Sequence, residues 1–197
     1  MANKILSKKP EEEISILDYY ENDNFDQLNL MLHQYFIGAI TPDLYDLLEL
    51  LSMTKDTILL KKIVLIITLF QPFFISDLIS VYNLEESVFM KNILLSIISS
   101  QINLVNIPFL IDQYIKNEKF RNKIKVKLIE EPETTFLALV NYLEMKRDFL
   151  LPEDLEFAKE LLSCLNPKYY YLYAASLTNL MISDLFYSIN PDKFPND

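Results

Sequence analysis

Glycine is almost missing from this chain: its 197 residues include one, Gly38. Average usage is about 7%, or roughly a dozen in a chain this long. Phosphate-cradling loops, dinucleotide fingerprints and nucleophile elbows each need several glycines at fixed offsets, so one glycine excludes them all. Corners must be turned by Pro, Asn, Asp and Ser instead. Gly38 lies in Phe36-Ile37-Gly38-Ala39-Ile40, just ahead of Thr41-Pro42. That is where a glycine ending one helix before the next belongs.

Cysteine and histidine are as scarce. The single Cys164 excludes an internal disulfide, and a lone cysteine fits a reducing, intracellular and cytoplasmic setting. Met1 to Glu13 is polar, then acidic, without an apolar core or an arginine bias, so neither a secretory nor a transit peptide is expected. One cysteine and one histidine make no structural zinc site, and no Glu-x-x-His pair exists for a di-iron centre. No metal or cofactor is expected. Any histidine-dependent catalytic set would have to use His33, which sits in the apolar helical run Leu28 to Phe36 and reads as a packed or rim residue. Cys164, between Leu162 and Leu165, reads as a small buried hydrophobe with no adjoining cation to activate it.

Positive charge is absent from a long stretch. Between Pro10 and Thr54 there is no Lys or Arg, against ten acids: Glu11, Glu12, Glu13, Asp18, Glu21, Asp23, Asp26, Asp43, Asp46 and Glu49. The remaining 18 acids balance the 18 bases, so the net charge of −10 resides in the first quarter. The opposite bias appears at Lys116, Lys119, Arg121, Lys123, Lys125 and Lys127, opposed in that span by Glu118 alone. These read as solvated helix faces or as two docking surfaces of opposite sign.

What is present is helix signal. Half the residues, 51%, are hydrophobic, enough for a sizeable core. Thr41-Pro42-Asp43 reads as cap, first-turn proline and first-turn acid. It opens an apolar face through Leu44, Leu47, Leu48 and Leu51. Leu151-Pro152-Glu153-Asp154 and Asn166-Pro167 read as further helix starts, and Pro72, Pro108 and Pro132 punctuate the middle in the same way. About ten helices of 9 to 17 residues are expected. The alternation Lys123-Ile124-Lys125-Val126-Lys127-Leu128 is the one strand candidate, and its place in the repeat below favours helix. Two uncharged runs, Ile63–Ser76 and Asn92–Ile111, are too short or too interrupted for membrane spans and read as buried helices.

The middle of the chain is weakly self-similar. Lys61 to Ile67, Lys91 to Ile98 and Arg121 to Ile129 each pass from basic or amide residues into an Ile-rich segment. Each is followed by a second segment carrying Phe, Leu and Tyr: Phe74, Leu78, Tyr82; Phe109, Leu110, Tyr114; Phe136, Leu139, Tyr142. The period is about 30 residues, the logic of stacked helix pairs. Over roughly Asp43 to Asn190 this resembles the HEAT and armadillo class of α-solenoids. The tetratricopeptide pattern cannot be met without Trp and with one Gly. The resemblance implies stacked antiparallel helix pairs and a protein-binding scaffold; the alternative is a compact multi-helix globular domain. One all-α domain over residues 14–190 is expected, between a polar tail at 1–13 and a short tail at 191–197.

The functional expectation is a non-catalytic interaction module or adaptor that binds a protein partner. The contact residues expected are Lys116, Lys119, Arg121, Lys123, Lys125 and Lys127, the tyrosines Tyr169, Tyr170, Tyr171 and Tyr173, and the acidic surface Glu11, Glu12, Glu13, Asp18, Glu21, Asp23 and Asp26. Two other readings stand beside it. One is a ribosome- or RNA-associated factor using residues 116–127. The other is a hydrolase or lyase with a carboxylate pair.

Overall fold

A computed structural model describes residues 15–165. Among them all regular structure is helical: ten α-helices and a 3-10 turn at Arg147–Phe149, with no strand. The fold is all-α. Glu11, Glu12 and Glu13, the Asn166-Pro167 helix start, Tyr169, Tyr170, Tyr171 and Tyr173, and the two expected tails lie outside the described residues. The chain divides into two compact units, one running to Phe70 and the other starting at Gln71.

The first unit contains α1 (Ile16–Glu21), α2 (Phe25–Phe36), α3 (Leu44–Met53) and α4 (Thr57–Leu69). Helix α1 packs on α2 and α3 on α4; α1 also packs on α3, and α2 on α4. Ile16, Leu28, Leu32, Leu47, Leu51, Ile63 and Ile67 are buried between them. Ser15 caps α1 by accepting the Leu17 N–H at 3.1 Å, and its hydroxyl donates to Asp46 Oδ2 on α3 at 2.6 Å.

The Thr41-Pro42 start proves misplaced by two residues. Asp43 is the cap of α3, with its Oδ1 accepting the Tyr45 and Asp46 N–H groups at 2.8 and 3.1 Å. A carboxylate at that position satisfies two of the orphan donors of the first turn, which leaves Thr41 and Pro42 ahead of the helix. Gly38 does what was expected. It has φ +71°, the Gly38 N–H donates to Tyr35 O, and the Ala39 N–H donates to Gln34 O. That bond pattern ends α2 in a Schellman motif.

The second unit contains α5 (Gln71–Leu84), α6 (Val88–Ile98), α7 (Ile107–Lys116), α8 (Arg121–Glu130), α9 (Pro132–Lys146) and α10 (Pro152–Cys164). Pro72, Pro108, Pro132 and Pro152 all occupy the first or second helical position, where a missing N–H costs nothing. The Lys123–Leu128 alternation lies wholly inside α8. The uncharged run Asn92–Ile111 is not one buried helix. It breaks between α6 and α7, and Leu104 and Val105 in the break are exposed. No single helix among the described residues is long and apolar enough to cross a membrane.

Helix α7 is the centre of this unit, packing on α8, α9 and α10. The leucine and tyrosine positions of the sequence period are alike in burial, whereas Phe136 is buried and Phe74 and Phe109 are half-buried. Leu78, Leu110 and Leu139 are fully enclosed, and so nearly are Tyr82, Tyr114 and Tyr142. Tyr82 donates from α5 to Gln113 Oε1 on α7 at 2.7 Å, and Tyr142 donates from α9 to Asp112 Oδ1 on α7 at 3.1 Å.

Helix C-termini in this unit are closed by side chains. Gln71 Nε2 and Asn106 Nδ2, both wholly buried, each donate to the carbonyls of Ile98 and Gln101 at the end of α6, over 2.7–3.2 Å. Thr135 Oγ1 donates to Leu128 O near the end of α8 at 2.6 Å. These donors occupy carbonyls that a helix end leaves without an intrahelical partner.

Candidate partner-binding surfaces

The basic stretch from 116 to 127 spans the end of α7, a loop and most of α8, so its cations diverge. Arg121 turns inward. Its Nε donates to Tyr114 O at 3.0 Å and its Nη2 to Ile115 O at 3.1 Å, which closes the last turn of α7. The guanidinium also stacks 3.6 Å from the centre of the Phe157 ring on α10, a cation–π contact. Lys125 pairs with Glu160 on α10 at 2.7 Å, Lys116 with Asp112 at 2.6 Å, and Lys127 with Glu130 at 2.8 Å. Lys123 donates to Ser96 Oγ on α6 at 2.8 Å, and Lys119 lies over the Phe120 ring.

Around Arg121 these contacts merge into one network joining α7, α8 and α10. Tyr114 OH sits 3.1 Å from Phe157 O and 3.2 Å from Glu160 Oε2. Burial, then the Glu160 charge, pushes the Tyr114 hydroxyl well above the usual phenol range. The Lys125 ammonium holds the Glu160 carboxyl below its ordinary value, and Glu160 in turn raises Lys125. Burial and then the Asp112 charge raise Tyr142 in the same way.

Cys164 is exposed rather than buried. It ends α10, whose buried face is taken by Leu161 and Leu162, with Leu165 following. Glu160, one helical turn before it on α10, holds the Lys125 ammonium of α8 at 2.7 Å, a cation invisible in the local sequence. His33 is a rim residue, exposed on α2. Asp18, Glu21, Asp23 and Asp26 are exposed at α1 and the start of α2. Among the described residues no three His, Cys, Asp or Glu side chains gather closely enough to hold a metal ion.

A concavity in the second unit lies between α7 and α9. It encloses about 520 Å³ over Ile107, Pro108, Leu137, Ala138, Asn141 and Tyr142. Leu104, Ile107 and Thr134 also line an adjoining hollow of about 530 Å³ that reaches Pro72 and Ile75. Together they form an open apolar groove. Met145 and Leu104 stand at its edge, 81% and 78% exposed. Glu131 lines the adjoining hollow and Lys146 the opposite, C-terminal end of α9. Asp112, a carboxylate on the α7–α9 wall, is already engaged by Lys116 and Tyr142. The groove therefore offers apolar contact with one charge of each sign at its two ends. Sequence reasoning missed it because its walls come from two helices about 30 residues apart, each of which looks merely amphipathic. Comparison with protein-family models, with curated proteins and with solved structures returns no match for this chain.

Proposed function

We propose that this protein is a non-catalytic interaction module that seats an amphipathic helix of a protein partner in the α7–α9 groove. The carrying observation is the groove itself, open, apolar and walled by Leu104, Ile107, Pro108, Leu137 and Met145. Along α9 it is lined at Thr134, Leu137, Asn141 and Met145, a span of 11 residues. At 1.5 Å per residue that is about 16 Å, the length of three turns of a bound helix. Large apolar side chains left open to water are recovered free energy when a partner covers them, about 25 cal/mol per Å². Glu131 and Lys146 give the groove an electrical direction, favouring a bound helix whose basic residues lie toward Glu131 and acidic residues toward Lys146.

The fold reading that accompanies this is stacking of helix pairs. Contacts of α1 with α3, α2 with α4 and α7 with α9 support it, each helix meeting the next but one, as in helical-repeat scaffolds. Arg121 and Lys125 tie α8 to α7 and α10, and Lys116 and Lys127 are paired within their own helices, which shifts the expected contact surface from charge to the apolar groove.

The test is site-specific photocrosslinking. A crosslinker at Met145 or Leu137 should trap one partner, and Leu104→Asp should reduce that product severalfold while the fold, followed by circular dichroism, is retained. The same product from a crosslinker at Lys159, or its indifference to Leu104→Asp, would overturn the assignment.

A further inference from the structure

The first unit carries a second apolar groove, and its surroundings have an excess of one sign of charge, unlike the groove of the second unit. Helices α2 and α4 lie side by side, with buried Leu32 and Ile66 at the floor between them. Phe36 and Leu65 form the walls, 49% and 47% exposed, around a hollow of about 230 Å³. Lys62 on one wall is tied down by donating to Asn29 Oδ1 on the other at 2.9 Å.

The apolar surface continues beyond the hollow. On α4, Ile58, Leu65 and Leu69 are all exposed. Their spacing, i, i+7 and i+11, places them on one helical face. On α2, Phe25 and Phe36 are eleven residues apart and about half exposed. A contiguous exposed apolar patch of this kind marks an interaction site. Within residues 15–70 there are eight acids, Asp18, Glu21, Asp23, Asp26, Asp43, Asp46, Glu49 and Asp56, against three lysines. Asp26 stands one helical turn before Asn29 on the groove-forming face of α2, and Glu21 and Asp23 precede it directly. An anionic partner would be repelled by this unit, and a cationic one drawn to it.

We propose that the α2–α4 face docks a cationic amphipathic helix of a protein partner, with the apolar side of that helix in the groove and its Lys or Arg residues over Asp26 and the neighbouring acids. This surface is separate from the α7–α9 groove and stands or falls independently of it. Helix-in-groove recognition with charged flanks predicts fast, salt-sensitive association anchored by a few apolar side chains.

The experiment titrates the full chain with two labelled synthetic helices that share one leucine stripe and carry either Lys or Glu at every polar position, followed by fluorescence anisotropy. The Lys helix should bind at least about tenfold more tightly than the Glu helix at low salt, a difference that shrinks as the Debye length falls. Leu65→Ser and Leu69→Ser, both at half-exposed positions, should each weaken the Lys helix severalfold. Asp26→Lys with Glu21→Lys should reverse the preference. Met145→Asp, in the other groove, should change nothing. Equal binding of the two helices sinks the proposal. So does binding indifferent to both leucine substitutions, since adsorption by charge alone would not feel them. Loss of binding with Met145→Asp would transfer the site to the second unit.

Discussion

Asp23 holds φ at +55° in the position after α1 that Gly38 holds, at +71°, after α2. The bonds around it match: the Asp23 N–H donates to Tyr20 O and the Asn24 N–H to Tyr19 O. One Schellman motif thus uses glycine and the other uses an aspartate in a conformation that costs an L-residue roughly 1 kcal/mol. Asp23→Gly should therefore stabilise the first unit, and Gly38→Ala destabilise it, each by about 1 kcal/mol in chemical denaturation. A Cβ on Gly38 would meet nothing within 4 Å, so the second change tests backbone conformation alone. Arg121 is the other residue whose role is set locally. Arg121→Met keeps the stem but loses two bonds to α7 carbonyls and the contact with Phe157. Charged hydrogen bonds of this kind are each worth about 1.5–3 kcal/mol, so a loss of about 2–4 kcal/mol is expected. Arg121→Lys should recover only part of it, because one ammonium cannot reproduce the planar fork.

Most helix starts were legible; among the ends, that of α2 was, through Gly38, and the others were not. Proline fixes its own φ and lacks a donor, so Pro72, Pro108, Pro132 and Pro152 announced starts that the structure bears out. Thr41-Pro42 misled because Asp43, two residues on, is the better acceptor for the first-turn amides. Ends depend on side-chain donors outside the helix they close: Asn106 for α6, Arg121 for α7 and Thr135 for α8 follow within eight residues, and Gln71 reaches α6 from 27 residues away. Arg121 caps carbonyls only six and seven residues before it, but the Phe157 ring that holds its guanidinium inward is 36 residues away. For the same reason the stretch at 116–127 looked like a free basic face. Glu160, which takes Lys125, is 35 residues distant. Cys164 was misjudged because its leucine neighbours occupy the buried side of α10 and leave it the other side. The tyrosine period was legible, and it carries a pH consequence. Burial raises Tyr82, Tyr114 and Tyr142. Groups raised in the folded state contribute stability that is complete below their unfolded value, near 10, and is lost as pH rises beyond it. Alkaline unfolding should therefore coincide with a cooperative rise in tyrosinate absorbance. Tyr142→Phe should move that transition to higher pH relative to its own stability at pH 7.

Among the described residues the charges of the two units differ. In the first unit they repel: Glu21 ends α1, where the helix dipole already disfavours an acid, and no base lies in that last turn. Glu21→Lys should raise stability by about 0.5 kcal/mol at low salt and by less at high salt. In the second unit three ion pairs form, Lys116 with Asp112, Lys125 with Glu160 and Lys127 with Glu130. The lowered Glu160 carboxyl contributes stability that is present above about pH 4, its unfolded range, and lost as pH falls through the still lower folded value. The raised Lys125 loses its contribution only in strong alkali, so the pair is intact throughout the physiological range. The stability difference between the protein and Glu160→Gln should be largest near neutrality and close in acid.

The inward turn of Arg121 has a consequence for proteolysis. A stretch with six basic residues among twelve offers trypsin six bonds on paper. Five of those side chains are held by hydrogen bonds within the fold, and most of the bonds lie in helix. Lys119, exposed in the loop between α7 and α8, stands apart from them. A native digest should cut this region once, after Lys119, and leave the bonds after Arg121, Lys123, Lys125 and Lys127 intact until the second unit unfolds.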